Sequence, residues 1–183
     1  MILHRCFPRD RGARPNGAGG PLWIARVHQG EGRHDNPEHF GCLYLADRET
    51  AGVVEWLAVF VGEPGVDPSM LERNGRTLAV AAIELADGAE LVDLDHPPTL
   101  ARERLRPSLV ATRERVVTQP QALRIWKQRP SAAGISWWST FESLWACVTL
   151  FDRAAPLLRV LDVRELTVDD PAVVEAAELL GMV

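Results

Sequence analysis

The spacing of apolar and polar positions changes period several times along this chain, and each change predicts an element. "PLWIARVH" (21–28) carries β-favouring Trp, Ile and Val and predicts a first strand. The turn-rich "QGEGRHDNPEHFG" follows as a polar loop, and "CLYLA" (42–46) predicts a second strand. From Arg48 to about Val61 the period becomes helical, with Ala51, Val54, Ala58 and Val61 on one face. Asp47 is placed to cap this helix, and Glu49 suits its positively polarised first turn. "RTLAVAAIEL" (76–85) and "AELVDL" (89–94) predict two strands joined into a hairpin by "ADG". Helical segments are expected from Thr99 to Leu105 and from Pro120 to Lys127. "GISWWST" fits a strand or a loop, whereas "LWACVTLF" (144–151) and "LLRVLDVREL" (157–166) predict strands. Asp170 and Pro171 open a last helix as N-cap and first helical residue. Strands with scattered helices, and no regular strand–helix–strand units, imply an α+β fold.

Composition narrows the class. At 183 residues, 46% hydrophobic and 25% charged, the chain suits one soluble domain over 22–183. Residues 1–21, "MILHRCFPRDRGARPNGAGGP", mix Arg, Gly and Pro and lack the apolar core of a secretory signal, so a flexible leader is expected there. "GAGGP" lacks the spacing of a dinucleotide loop. A net charge of -5 argues against direct nucleic-acid binding. No apolar run approaches the ~20 residues of a membrane helix, so no membrane attachment is expected. Cys6, Cys42 and Cys147 form no CxxC pair and the histidines show no HxxxH or HExxH spacing, which favours a reducing cytoplasm and gives no basis for a metal. Lys127 is the one lysine among 20 basic residues. Arginine suits bidentate phosphate recognition, although a codon bias produces the same count.

Five residues carry candidate chemistry. Glu55 sits among Val53, Val54, Trp56, Leu57 and Ala58, beside the expected buried stripe. A carboxylate is seldom buried unpaired, so Glu55 is either a working acid or the exposed edge of a rotated helix. Arg26, in the apolar "LWIARVH", is a substrate cation or a structural ion pair. Arg33, in a Gly-flanked loop, can reach a phosphate. Tyr44, the only tyrosine, offers a ring for stacking, or is a core aromatic with its hydroxyl at a surface. Ser139 closes "GISWWS", where no GxSxG elbow or suitably spaced His supports a hydrolase triad.

The order of these features resembles the RES domain family. An Arg on a first strand, "GRHDNP" in the next loop, "LYLADRETAGVVE" across a strand and helix, and "GISWWS" about 80 residues further on carry the resemblance over roughly Trp23 to Asp152. It implies a fold resembling ADP-ribosyltransferase toxins, with a mixed or antiparallel sheet and surrounding helices. It also implies a toxin of a toxin–antitoxin pair that degrades NAD by hydrolysis or phosphorolysis, with NAD as substrate and no cofactor. The usual partner is an Xre-type helix-turn-helix antitoxin; association of several copies of the chain is left open. The family's functional Arg, Tyr, Glu and Ser fall on Arg26, Tyr44, Glu55 and Ser139. The chain departs from the family pattern at Val27 and His28, at His34 and Asp35, and at Thr140 to Glu142, where members often carry a basic residue. Transfer of ADP-ribose to a protein, or a RES-like binding module without turnover, are the alternative functions.

Overall fold

The computed structural model describes residues 1–182, which form two compact units. The first contains Met1–Trp23, Leu45–Glu84 and the chain from Arg159 onward; the second contains Ile24–Tyr44 and Leu85–Leu158. The strands are β1 (Ile2–Pro8), β2 (Cys42–Ala46), β3 (Glu72–Arg73), β4 (Arg76–Leu85), β5 (Leu91–Asp93), β6 (Gly134–Trp138), β7 (Ala146–Phe151) and β8 (Leu158–Glu165). The helices are α1 (Glu49–Leu57), α2 (Pro97–Glu103), α3 (Pro107–Val110), α4 (Arg115–Gln128) and α5 (Pro171–Leu180). The fold is α+β with mostly antiparallel pairing, as the strand and helix pattern implies.

In the first unit the order is β3-β4-β1-β2, with β8 also paired to β4. β1 runs antiparallel to β4 over seven residue pairs, from Ile2↔Glu84 to Pro8↔Leu78, and meets β2 at His4↔Ala46. Residues 1–21 are therefore not a flexible leader. "ILHRCFP" buries Leu3, Cys6 and Phe7, and its ladder pairs the backbone groups that an unstructured segment would leave to water. The turns after it are held by close backbone approach: a Cβ on Gly20 would lie 2.1 Å from the Arg14 carbonyl oxygen. The β3–β4 turn is the pair Asn74-Gly75, both with positive φ, the geometry of a two-residue hairpin.

α1 packs on β1 and α5. Gly52 allows this approach, since a Cβ there would sit 3.2 Å from the Cys6 backbone nitrogen, and Trp56 Nε1 donates to the Cys6 carbonyl at 3.1 Å. Val53, Val54 and Leu57 have no exposed surface, a burial of roughly 1.5–3 kcal/mol each. α1 is shorter than expected. It starts after Arg48 rather than on an Asp47 cap, and a 3-10 turn, Ala58–Phe60, ends it, leaving Val61 exposed. α5 opens as expected, with Asp170 accepting from the Ala172 N–H at 3.0 Å.

In the second unit the order is β2-β7-β6-β5. β6 pairs antiparallel with β7, and β5 pairs parallel with β6 from Leu91↔Gly134 to Asp93↔Ser136. The "ADG" hairpin is thus a correction: the turn exists, but β5 pairs with β6 and not with β4, because Val92 joins the core formed with Ile135, Ile125 and Phe151. The expected strand over 21–28 is also absent. Residues 23–25 are irregular and Arg26–His28 form a 3-10 turn. α4 begins one turn before Pro120 and carries that proline inside it.

The polar counterpart of this packing is a charge hub in the first unit. Arg164 on β8 makes a two-toothed pair with Glu49 of α1, at 2.7 and 2.6 Å, and another with Asp170, at 3.0 Å on each arm. Glu175 of α5 accepts from the Thr50 hydroxyl beside it. The Arg164 guanidinium holds the Glu49 carboxyl below the usual carboxylate range. Because that pKa is depressed by folding, its stabilisation is present above the unfolded value of about 4.3 and is lost as pH falls through the folded value. Arg164→Ala is expected to destabilise the chain by about 1–2 kcal/mol at pH 7, less than a fully buried pair would because Arg164 keeps solvent contact. Urea unfolding at pH 7 and below pH 4 checks this, since the gap from the parent chain should narrow in acid.

Candidate functional site

The polar loop between Gln29 and Pro37 is the most heavily cross-linked polar segment of the second unit. Gly30 takes φ +146, a backbone that side chains rarely adopt, and Gly32 has no room for a Cβ, which would lie 2.5 Å from the Tyr44 hydroxyl and 2.7 Å from Asp35 Oδ1. Buried Asp35 binds this bare backbone. Its Oδ2 accepts from the N–H groups of Gly30 at 2.8 Å and Gly32 at 2.7 Å, and its Oδ1 accepts from the Tyr44 hydroxyl at 2.7 Å. The Tyr44 oxygen in turn accepts from the His34 N–H at 3.0 Å. Burial, reinforced by the nearby Cys42 and Asp35, keeps the Tyr44 phenol well above its ordinary pKa. Tyr44 therefore does not point its hydroxyl at a surface. The hydroxyl is used within the loop, and the partly buried ring packs against the core of the second unit.

His34 and Asp35, the two departures from the family pattern, are the buried polar residues of this loop. His34 Nδ1 lies 2.8 Å from the Thr149 hydroxyl and its ring meets Trp137 edge-on at 4.7 Å. Burial lowers its pKa to about 3, so it stays neutral. Arg33 directs Nη1 to the carbonyls of Val110, at 2.9 Å, and Thr112. Its expected contact with a phosphate competes with this backbone anchor.

Arg26 is not a strand residue. From its 3-10 turn it donates Nε to the Pro37 carbonyl at 2.6 Å and lies 3.8 Å from Asp152, which also accepts from the Gly41 N–H at 2.9 Å. These contacts fix the loop's entry into β2, the structural alternative for this residue. Ser139 is buried at the end of β6. Its N–H donates to the Trp145 carbonyl at 2.8 Å and its Oγ accepts from the Phe141 N–H at 3.1 Å. Arg113 lies over the Phe141 ring at 5.1 Å, bringing a guanidinium beside a segment whose own residues Thr140 to Glu142 lack one.

In the first unit Glu55 occupies the exposed side of α1, not the margin of its buried stripe. The packing of α1 on β1 and α5 centres that stripe on Val53, Val54 and Leu57. The residue that sequence reasoning missed is Arg5. It is the arginine on the actual first strand, between Leu3 and Phe7 on one face of β1. Its Nη1 donates to the carbonyls of Pro21 at 2.6 Å and Trp23 at 3.2 Å, and its guanidinium lies 5.6 Å from the Phe7 ring centre. Burial lowers its pKa to about 10 although the side chain keeps some solvent access. Among the described residues no carboxylate lies within ion-pair distance of it. The missed signal was the apolar alternation of "ILHRCFP", obscured by the Arg, Gly and Pro that follow. Among the described residues no cluster of His, Cys, Asp and Glu is placed to hold a metal, and no helix is long and apolar enough to cross a membrane.

The family model described as the RES domain matches residues 2–170, beginning on β1. The chain belongs to the RES domain family. The first strand of the chain is β1, which carries Arg5, whereas Arg26 lies in a 3-10 turn. A solved structure described as the M. tuberculosis MbcT–MbcA toxin–antitoxin complex matches this RES fold with a TM-score of 0.64 at 18% identity, over 98% of this chain and 88% of that one. No curated protein matches the chain significantly.

Tyr44→Phe is expected to cost about 2 kcal/mol of stability, because it strands a buried Asp35 oxygen and the His34 N–H together. Guanidinium unfolding measures it, and an unchanged midpoint would show that the hydroxyl contributes nothing.

Proposed function

We propose that this RES domain is the toxin of a toxin–antitoxin pair, that it cleaves NAD at the nicotinamide–ribose bond, and that an Xre-type antitoxin restrains it. The observation that carries the reading is Arg5, an enclosed cation that no carboxylate neutralises among the described residues. Charges removed from water are ordinarily paired, so such a cation suits an anionic substrate group, and the pyrophosphate of NAD is one. Family membership and the likeness to a chain from a toxin–antitoxin complex support the toxin role.

In this mechanism the bond between the ribose C1′ and the nicotinamide nitrogen breaks, and its electron pair neutralises the pyridinium as nicotinamide leaves. The ribose passes through an oxocarbenium-like state, and water or phosphate supplies the oxygen that forms the new bond to C1′. Glu55 is the carboxylate that stabilises this positive charge or holds the ribose hydroxyls. Arg5 neutralises the pyrophosphate. The Tyr44 ring packs on a flat base, and Ser139 orients the substrate. NAD is the substrate, and the chemistry asks for no further cofactor.

Expression of the chain alone is expected to deplete cellular NAD and arrest growth, and Glu55→Ala and Arg5→Ala should each remove at least 100-fold of the purified activity, on the order of 3 kcal/mol of transition-state binding. Nicotinamide release with and without phosphate separates hydrolysis from phosphorolysis, and label from NAD retained on protein would mark transfer instead. Intact NAD in the presence of folded wild-type chain would sink the enzymatic reading and leave a binding module. Loss of activity in Arg26→Ala but not in a folded Arg5→Ala would return the anion-binding role to Arg26.

A further inference from the structure

Within the 30–35 loop Gly30 and Gly32 contribute no side chain, and the exposed Glu31 between them pairs outward with Arg115. Asp35 holds the loop from within, and the first turns of α4 hold it from outside. Gln119 directs Nε2 to the carbonyl oxygens of Gly30 and Gly32, both at 2.9 Å. Asp35 binds the N–H groups of those same two residues. The donors and the acceptors of both glycines are thus held, the donors by Asp35 and the acceptors by Gln119. Two more bonds continue the seam: the Thr118 hydroxyl donates to the Arg33 carbonyl at 2.5 Å, and Asn36 Nδ2 donates to the Gln119 carbonyl at 3.0 Å.

We propose that Gln119 is a positioning residue, which sets the 30–35 loop and, through Asp35, the orientation of the Tyr44 side chain. Its part is chemically specific. A primary amide carries two hydrogens on one nitrogen, enough for two carbonyls, whereas a carboxylate carries none. Gln119 lies outside "GRHDNP", "LYLADRETAGVVE" and "GISWWS", and it touches no residue of the α1 segment in any of these contacts. The assignment of a substrate effect rests on the NAD reading above; the effect on Tyr44 does not.

The sole tyrosine makes the test direct, because tyrosinate absorbance reports Tyr44 alone. Buried beside Asp35 and Cys42, the phenol of the parent chain should show no ionisation up to the pH at which circular dichroism reports unfolding. In Gln119→Leu the Gly30 carbonyl loses its side-chain donor and the Gly32 carbonyl keeps only the Asp35 N–H, at 3.3 Å, so the loop loosens and tyrosinate should appear within the folded range. The Michaelis constant for NAD should rise about tenfold or more with kcat little changed, as lost hydrogen bonds to a binding loop predict. Gln119→Glu keeps the shape and removes the donors, and it serves if the leucine variant does not fold. A folded variant whose Tyr44 titrates like the parent overturns the assignment. Failure of both variants to fold also overturns it, by making Gln119 a determinant of the fold and not of the loop. If the parent chain leaves NAD intact, the function proposed above falls while the Tyr44 titration still decides the role of Gln119.

Discussion

The pairing of β1 on both of its edges is the constraint on which the first unit depends. A strand paired along its length with β4 and touching β2 at His4↔Ala46 is fixed in register, so its side chains must commit to one face or the other. His4 and Cys6 turn to one face, where α1 packs with Gly52 against Cys6, and Leu3, Arg5 and Phe7 turn to the opposite one. A one-residue slip would carry Arg5 under the helix and Cys6 out of it. The register that builds the sheet is therefore also what sets the cation's surroundings.

Two arginines of this unit show how differently the same side chain is used. Arg164 is saturated by two carboxylates and ties α1, β8 and the start of α5. Among the described residues Arg5 is met by carbonyl dipoles and an aromatic ring, which orient a guanidinium without cancelling its charge. Electrostatic neutralisation marks the first as a strut. The second lacks such neutralisation among the described residues.

In the second unit the organising principle is satisfaction of buried polar groups. Asp35, His34 and the Tyr44 hydroxyl are removed from water, and each finds partners within hydrogen-bond distance. A network of this kind holds a glycine-containing loop in one conformation because breaking any member strands another in a low-dielectric interior. The cost is that Tyr44 gives up its hydroxyl to the loop.

Where a signal was local, the sequence determined the outcome: "CLYLA" and "RTLAVAAIEL" are strands and Asp170 caps α5, because period and capping act between near neighbours. The order of "GRHDNP", "LYLADRETAGVVE" and "GISWWS" sufficed for the family. The Asn74-Gly75 pair also carried a readable hairpin signal, at a place where no strand was expected. What the sequence alone could not decide was partnership across long separations. Whether β5 joins β4 or β6, whether "ILHRCFP" is a leader or a sheet strand, and which side of α1 is buried depend on surfaces far away in the chain, from β6 for β5 to α5 for α1. Charge is the clearest case. Arg5, Arg26 and Arg164 are alike as letters, and only the tertiary structure, by giving one of them no carboxylate among the described residues, separates it from the two that are paired, because pairing is a property of distance in space and not of position along the chain.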